Sequence, residues 1–344
     1  MKNYWYIIIG IAAFVLFAGV ANEKENFAVD EMTSVSEVLK KLGDKPVPHQ
    51  ANFSINGVSA EAGADLVLRG IAKDPKGGGE TKKQSKHFVC TSCHNMERED
   101  PDLSVVDPQA RLTFVEEKGL PFLQGTTLYG AVNRTSFYNG DYEKKYGALV
   151  EPARDNLREA IQLCAVECSQ GRKLESWEME SVLAYLWTID LKMGDLLLSD
   201  MEMTSIQNKV KSETKDTSTV NLIKSKYLSG APATFVDAPT DRKMGYTRTG
   251  DPDNGKLIYE LSCLHCHKNE RYSFLNLDES KFSLKFLENY FPKYSELSVY
   301  HVARYGTKPH PGKRAYMPHY TEEKMSNEMM EDLRTYVQQA GKNN

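Results

Sequence analysis

Cys90-Thr91-Ser92-Cys93-His94 and Cys263-Leu264-His265-Cys266-His267 decide the reading of this 344-residue chain. In each stretch two cysteines are separated by two residues and a histidine follows at once. That gap fits the vinyl groups of a haem. Each thiol adds to one vinyl as a thioether, and the histidine is then held below the iron as its proximal ligand. A lone Cys-x-x-Cys reads equally as half a zinc site or as a redox disulfide. The immediate histidine, present twice, turns the reading to two covalently attached haem c groups. Cys90, Cys93 and His94 would hold one, and Cys263, Cys266 and His267 the other. His265, inside the second motif, reads as a variable loop residue.

Working outward, helical patterns flank both motifs. Ala60–Arg69 precedes the first, after which Gly77-Gly78-Gly79 marks a loop. Glu151–Ala165 and Ser176–Leu191 follow it, with Ser176 expected as the N-cap. Asp253–Ser262 leads directly into the second motif, and Glu322–Ala340 closes the chain. The expected fold is all-α, with two cytochrome c-like haem domains of similar plan. Their closing helices share a signature, Glu178…Tyr185 and Glu328…Tyr336. The expected boundaries are 56–200 for the first domain and 246–344 for the second. Residues 22–55 read as a polar spacer with a helical piece in Glu31–Leu42. Residues 201–245, rich in Lys, Ser, Thr and Asp, read as a linker or wrapping segment.

Residues 1–21 read as a signal peptide with a small-residue site at Gly19-Val20-Ala21, or as an uncleaved anchor with Tyr4 and Trp5 at the interface. Either way the rest is expected on the periplasmic side of a bacterial inner membrane, held to the membrane if that segment stays. With 40% hydrophobic and 26% charged residues, the composition is ordinary for a globular chain. A formal net charge of −4, without a basic cluster, argues against nucleic acid as a partner.

The far side of each iron distinguishes the sites. Ala315-Tyr316-Met317-Pro318 makes Met317 the expected second ligand of haem 2, ahead of His319, His310 and His301. The first domain has no Met-Pro there. Aligning Tyr336 on Tyr185 sets Met317 opposite Val166, between Cys164 and Cys168. A thiolate is therefore expected at haem 1. A Cys164–Cys168 disulfide, a pair of inert thiols, and ligation by Met179 or His87 remain as alternatives.

Cys164, Glu167-Cys168-Ser169-Gln170-Gly171, Trp177-Glu178-Met179 and Ala184-Tyr185-Leu186 resemble the first domain of dihaem thiosulfate dehydrogenases. More distantly, the stretch from Gly125 to Leu186 is similar to the dihaem subunit of sulfur-oxidising cytochrome complexes. The resemblance implies Cys164 as the axial ligand of an active-site haem, with Cys168 second. It also implies a small sulfur anion as substrate. Glu167 and Cys168 stand where that family has Arg and Ser, and Gln170 replaces Asn. Arg172 and Arg134 are the candidates to supply the missing positive charge.

Three functions follow as expectations. The first is electron transfer between periplasmic or membrane redox proteins. The second is a thiosulfate dehydrogenase or tetrathionate reductase-like enzyme centred on haem 1. The third is a cytochrome subunit of a respiratory complex.

Overall fold

The computed structural model describes residues 27–307 and 316–343. Residues 1–21, expected as signal or anchor, lie outside them, as does His310. Among the described residues the chain is all-α, and its only β pairings are the isolated bridges Ser34–Lys192 and Lys73–Glu80. Among the described residues no helix is long and apolar enough to cross a membrane.

The helices run in order α1 (Val35–Lys41), α2 (Ala60–Arg69), α3 (Pro108–Lys118), α4 (Tyr142–Tyr146), α5 (Leu157–Leu163) and α6 (Ser176–Leu186). They continue with α7 (Asp200–Lys211), α8 (Thr217–Lys224), α9 (Pro252–Ile258), α10 (Leu264–His267), α11 (Lys281–Tyr290), α12 (Val299–Tyr305) and α13 (Asn327–Asn343). Helix α2 matches its expected span, because Ser59 caps its start and Gly70, at φ +72°, ends it. Helix α6 differs at its start. Glu175 is the N-cap and Ser176 the first helical residue, with Glu178 reaching back to the Glu175 N–H. The last helix begins later than expected, at Asn327, because the Glu322 carboxylate accepts the Asn327 N–H from outside the helix.

Two helix crossings repeat one device. A Cβ on Gly63 of α2 would lie 1.9 Å from the Ser181 carbonyl oxygen of α6. A Cβ on Gly255 of α9 would lie 2.0 Å from the Asp332 carbonyl oxygen of α13. Ser181 and Asp332 each sit one helical turn before the tyrosine used to align the halves, Tyr185 or Tyr336. Only glycine lets the backbones approach so closely. Around the first crossing pack Leu66, Val67, Val132, Leu157, Trp177, Val182 and Leu183. Around the second pack Ile258, Tyr259, Leu284, Phe291, Met330, Leu333 and Val337.

Two features depart from the expected boundaries. Residues 201–245 carry α7 and α8, whose Ile206, Val210, Val220 and Ile223 are buried against Val35, Val38, Leu39 and Leu42 of the expected spacer. The polar composition hid this because a few apolar residues at helical spacing suffice for one narrow buried stripe. Helix α3, inside the expected first domain, gives Leu112 and Val115 to the core around α9 and α13, and Phe122 follows them there. The two halves therefore interlock.

Candidate functional site

The first motif forms a short 3₁₀ turn, Cys90–Ser92, after extended Val89. His94 Nδ1 lies 2.6 Å from the Thr126 carbonyl oxygen. A carbonyl only accepts, so Nδ1 carries the proton and Nε2 keeps its lone pair. Burial lowers the basicity of this ring and favours its neutral form. Gly125 lines the ring: a Cβ there would stand 2.6 Å from Nδ1, and its N–H binds the Cys93 carbonyl.

The second motif is reached without a loop. Helix α9 passes through a π-helical turn, Tyr259–Cys263, into α10. His267 Nδ1 lies 2.9 Å from the Leu275 carbonyl oxygen, which gives the same tautomer as at His94. The Tyr272 N–H binds the Cys266 carbonyl, and the Leu277 N–H binds that of His267. Both motif histidines are thus oriented by a backbone carbonyl.

The two motifs are close together. The Cys93 thiol feels the charge of Cys266 as well as that of Cys168. Residues 122–126 run between them. The Phe122 N–H binds the Leu261 carbonyl at 2.9 Å, and the Gln124 amide reaches Cys93 Sγ at 3.8 Å.

Met317 packs, like Cys263, against the core of α9 and α13. Its backbone is bracketed by Thr307, whose N–H donates to the Met317 carbonyl at 2.9 Å while Thr307 Oγ1 accepts the Met317 N–H at 2.7 Å. Gly306, at φ +71°, lets the chain pass; a Cβ there would lie 2.5 Å from the Met317 oxygen. Two of the competing histidines, His319 and His301, have aromatic ring partners. His319 packs on Phe235, with ring centroids 4.8 Å apart, where burial and Lys145 hold its pKa at about 4. His301 stacks on Tyr305, and His265 lies beside Tyr272.

Cys164–Cys168 is also a π-helical turn, continuing α5. All six cysteines are free thiols, so Cys164 and Cys168 are not joined as a disulfide. Their thiols interact electrostatically across this single turn. The bond from Cys164, with further bonds from Tyr138 and Tyr316, brings the Cys168 thiol down to about 7 against the effect of burial. The same bond and burial push Cys164 well up. Tyr138 Oη is 3.8 Å from Cys168 Sγ. The Tyr316 ring stands edge-on to Phe88, with centroids 6.0 Å apart, just before the first motif.

The two arginines are not gathered at this pair. Arg172 forks onto buried Glu178, with Nη1 2.6 Å from Oε2, and also donates to the Lys82 carbonyl. Arg134 donates to the Thr127 and Tyr129 carbonyls at 2.9 and 3.3 Å. It lines a cavity of about 70 Å³ with Asp100, Thr126 and Lys324, on the side of His94 that its Thr126 partner occupies. Met179 is buried on α6, and His87 is half-buried beside Phe88.

Sequence reasoning missed five residues. Tyr138 and Tyr316 carry no spacing signal, since they come from separate parts of the chain. The buried group of Glu99, Arg111 and Lys324 was equally invisible. Glu99 Oε2 accepts from Arg111 at 3.1 Å and Oε1 from Lys324 at 2.9 Å. The Arg111 guanidinium also lies 4.5 Å over the Phe122 ring.

Among the described residues, no three His, Cys, Asp or Glu side chains are grouped as ligands for a metal ion. No family model, no curated protein and no solved structure matches the chain.

Proposed function

We propose that this chain is a dihaem c-type cytochrome, exported to the periplasmic side of a bacterial membrane, that carries electrons between redox proteins. The observation that carries the reading is the shared state of His94 and His267. Each donates Nδ1–H to a backbone carbonyl, leaving Nε2 free beside two reduced cysteines. Such a pairing fixes ring orientation and raises ligand basicity. A haem iron takes one protein ligand on each face, so three converging side chains are not required. A zinc site would need them. The repeated glycine crossings, Gly63 with Ser181 and Gly255 with Asp332, support two haem-binding units of one plan.

Bound haem would supply one-electron iron chemistry. The chain's own residues would set the direction of transfer. Met317 with His267 favours a high potential at the second site. At the first site the resemblance favours Cys164. Interaction with Cys164 favours negative charge on Cys168. An iron held by Cys164 would reverse this, because a coordinated thiol is deprotonated outright; Cys168, with Tyr138 and Tyr316 near it, would then help to stabilise that sulfur. Electrons would run from the thiolate site to the methionine site, across the short gap marked by Cys93 and Cys266.

Oxidation of a sulfur anion at the first site is the weaker reading. Arg172 is spent on Glu178, and Arg134 faces the His94 side. Purified protein tests both readings. Two covalent haems per chain by haemochrome spectrum and intact mass are expected, and a haem-free chain overturns the cytochrome reading. Reduction of the haems by thiosulfate, or their oxidation by tetrathionate, would reverse the choice between carrier and enzyme.

A further inference from the structure

Residues 71–89, between α2 and the first motif, carry five lysines against two acids, Asp74 and Glu80, in a chain whose formal net charge is −4. Glu80 pairs with Arg69 at 3.2 Å, and Lys76 pairs with Glu175 at 3.2 Å. The Asp74 carboxylate accepts the Lys76 N–H at 2.9 Å. Lys73, Lys82, Lys83 and Lys86 are exposed, and among the described residues none of their ammonium groups meets a carboxylate.

The backbone beneath these lysines is fixed. The Thr81 N–H binds the Ala72 carbonyl at 2.8 Å, and the Gln84 N–H binds that of Gly70 at 2.7 Å. Arg172 donates to the Lys82 carbonyl from its side chain and to the Gln84 carbonyl from its N–H. The Gln84 amide donates to the Ala165 carbonyl at 2.7 Å, and Ser85 Oγ donates to that of Ser169. The loop thus ties the turn of Cys164 and Cys168 to the first motif, where Cys90 is exposed. Lysines that serve solubility alone are interspersed with acids. Here like charges stand together on a held frame at the edge of the first site. The second motif has no such loop: α9 runs straight into it, and Lys268 beside it pairs with Glu279.

We propose that this lysine face is the docking surface of an acidic electron-donor protein, and that electrons enter at the first site. The inference rests on the dihaem reading and adds the charge of the donor and its place of contact. Complementary charge steers the encounter and raises the association rate, and salt weakens the effect. In each encounter the donor's reduced cofactor loses one electron and the first iron passes from ferric to ferrous.

The experiment uses full-length, haem-loaded protein, each variant first shown to carry two haems. The donor is fully reduced flavodoxin, an acidic protein, and haem reduction is followed by stopped-flow absorbance. The combined variant Lys73→Glu, Lys82→Glu, Lys83→Glu and Lys86→Glu is expected to be reduced about tenfold more slowly at low ionic strength. The wild-type rate is expected to fall toward that of the variant as salt is raised. Reversal of four exposed lysines elsewhere, Lys40, Lys211, Lys215 and Lys281, changes the net charge equally and is expected to stay close to wild type. Reduction by duroquinol, small and uncharged, is expected to be the same in all three proteins. The inference is overturned if the two reversal sets slow flavodoxin equally, or if the loop variant is slowed as much with duroquinol. It is overturned in favour of a lipid surface if the loop variant keeps the flavodoxin rate but loses binding to phosphatidylglycerol vesicles. A wild-type chain without covalent haem overturns the dihaem reading, and the inference with it.

Discussion

Glu99 and Lys324 are 225 residues apart in the chain, yet Lys324 Nζ lies 2.9 Å from Glu99 Oε1 in the protein interior. Arg111 completes the group from α3. The contact ties the segment behind the first motif to the turn that opens α13, and it locks the two halves together where the motifs approach. Burial alone would raise the Glu99 pKa. The charges of Arg111 and Lys324 outweigh it and hold the carboxyl well below the usual carboxylate range.

Glu99→Gln leaves two buried cations without their counter-charge. A loss of about 3–5 kcal/mol is expected, read as a lower midpoint in denaturant unfolding. The pH dependence follows from the direction of the shift. A carboxyl depressed in the folded state contributes fully above the ordinary glutamate value of about 4.3, and the contribution is lost as pH falls toward the folded value. The wild-type protein should lose stability steeply between about pH 5 and pH 3, and Glu99→Gln should lose less over that range. Equal slopes would count against the role of Glu99.

Gly63→Ala and Gly255→Ala test the repeated crossing. Each added methyl meets a carbonyl oxygen at 1.9 or 2.0 Å, and neither helix backbone can yield without parting from its partner. A loss of about 3 kcal/mol is expected for each, measured as a fall in Tm. Gly77→Ala, where a Cβ meets nothing within 4 Å, controls for local backbone effects at φ +93° and should cost less.

Replacing the thiols tests the two proposed attachments separately. Cys90→Ser with Cys93→Ser should leave one haem per chain, and so should Cys263→Ser with Cys266→Ser. Haemochrome absorbance per polypeptide reads the count. Two haems retained in either double variant would exclude that motif as an attachment site.

Cys164→Ser is expected to abolish the thiolate electron paramagnetic resonance signal of the first site. Cys168→Ser should shift that signal without removing it, because one donor to the ligand sulfur is lost. The opposite pattern would make Cys168 the ligand, in keeping with its thiol being held low, at about 7, by its neighbours.

Met317→Ala should lower the potential of the second haem and remove its far-red band, since a thioether ligand raises the potential relative to a weaker or basic replacement. Both readouts unchanged would exclude Met317 as a ligand.

Local features were legible in the residues alone. Each Cys-x-x-Cys-His run is five consecutive residues, so its spacing needs no fold to be read. Helix α2, with Ser59 before it and Gly70 after it, and the run of α9 into the second motif were also legible, because capping and periodicity act over neighbouring residues. The tertiary structure decided what depends on distant partners. Thin apolar stripes in α7 and α8 found their complement in α1, so a polar stretch became packed helix. Arg172 was legible as a cation, but its pairing with buried Glu178 was not. Glu99 with Lys324, and Tyr138 with Cys168, are pairings between residues that no local pattern links. They form only once folding has removed water and left each polar group to find its partner inside the protein.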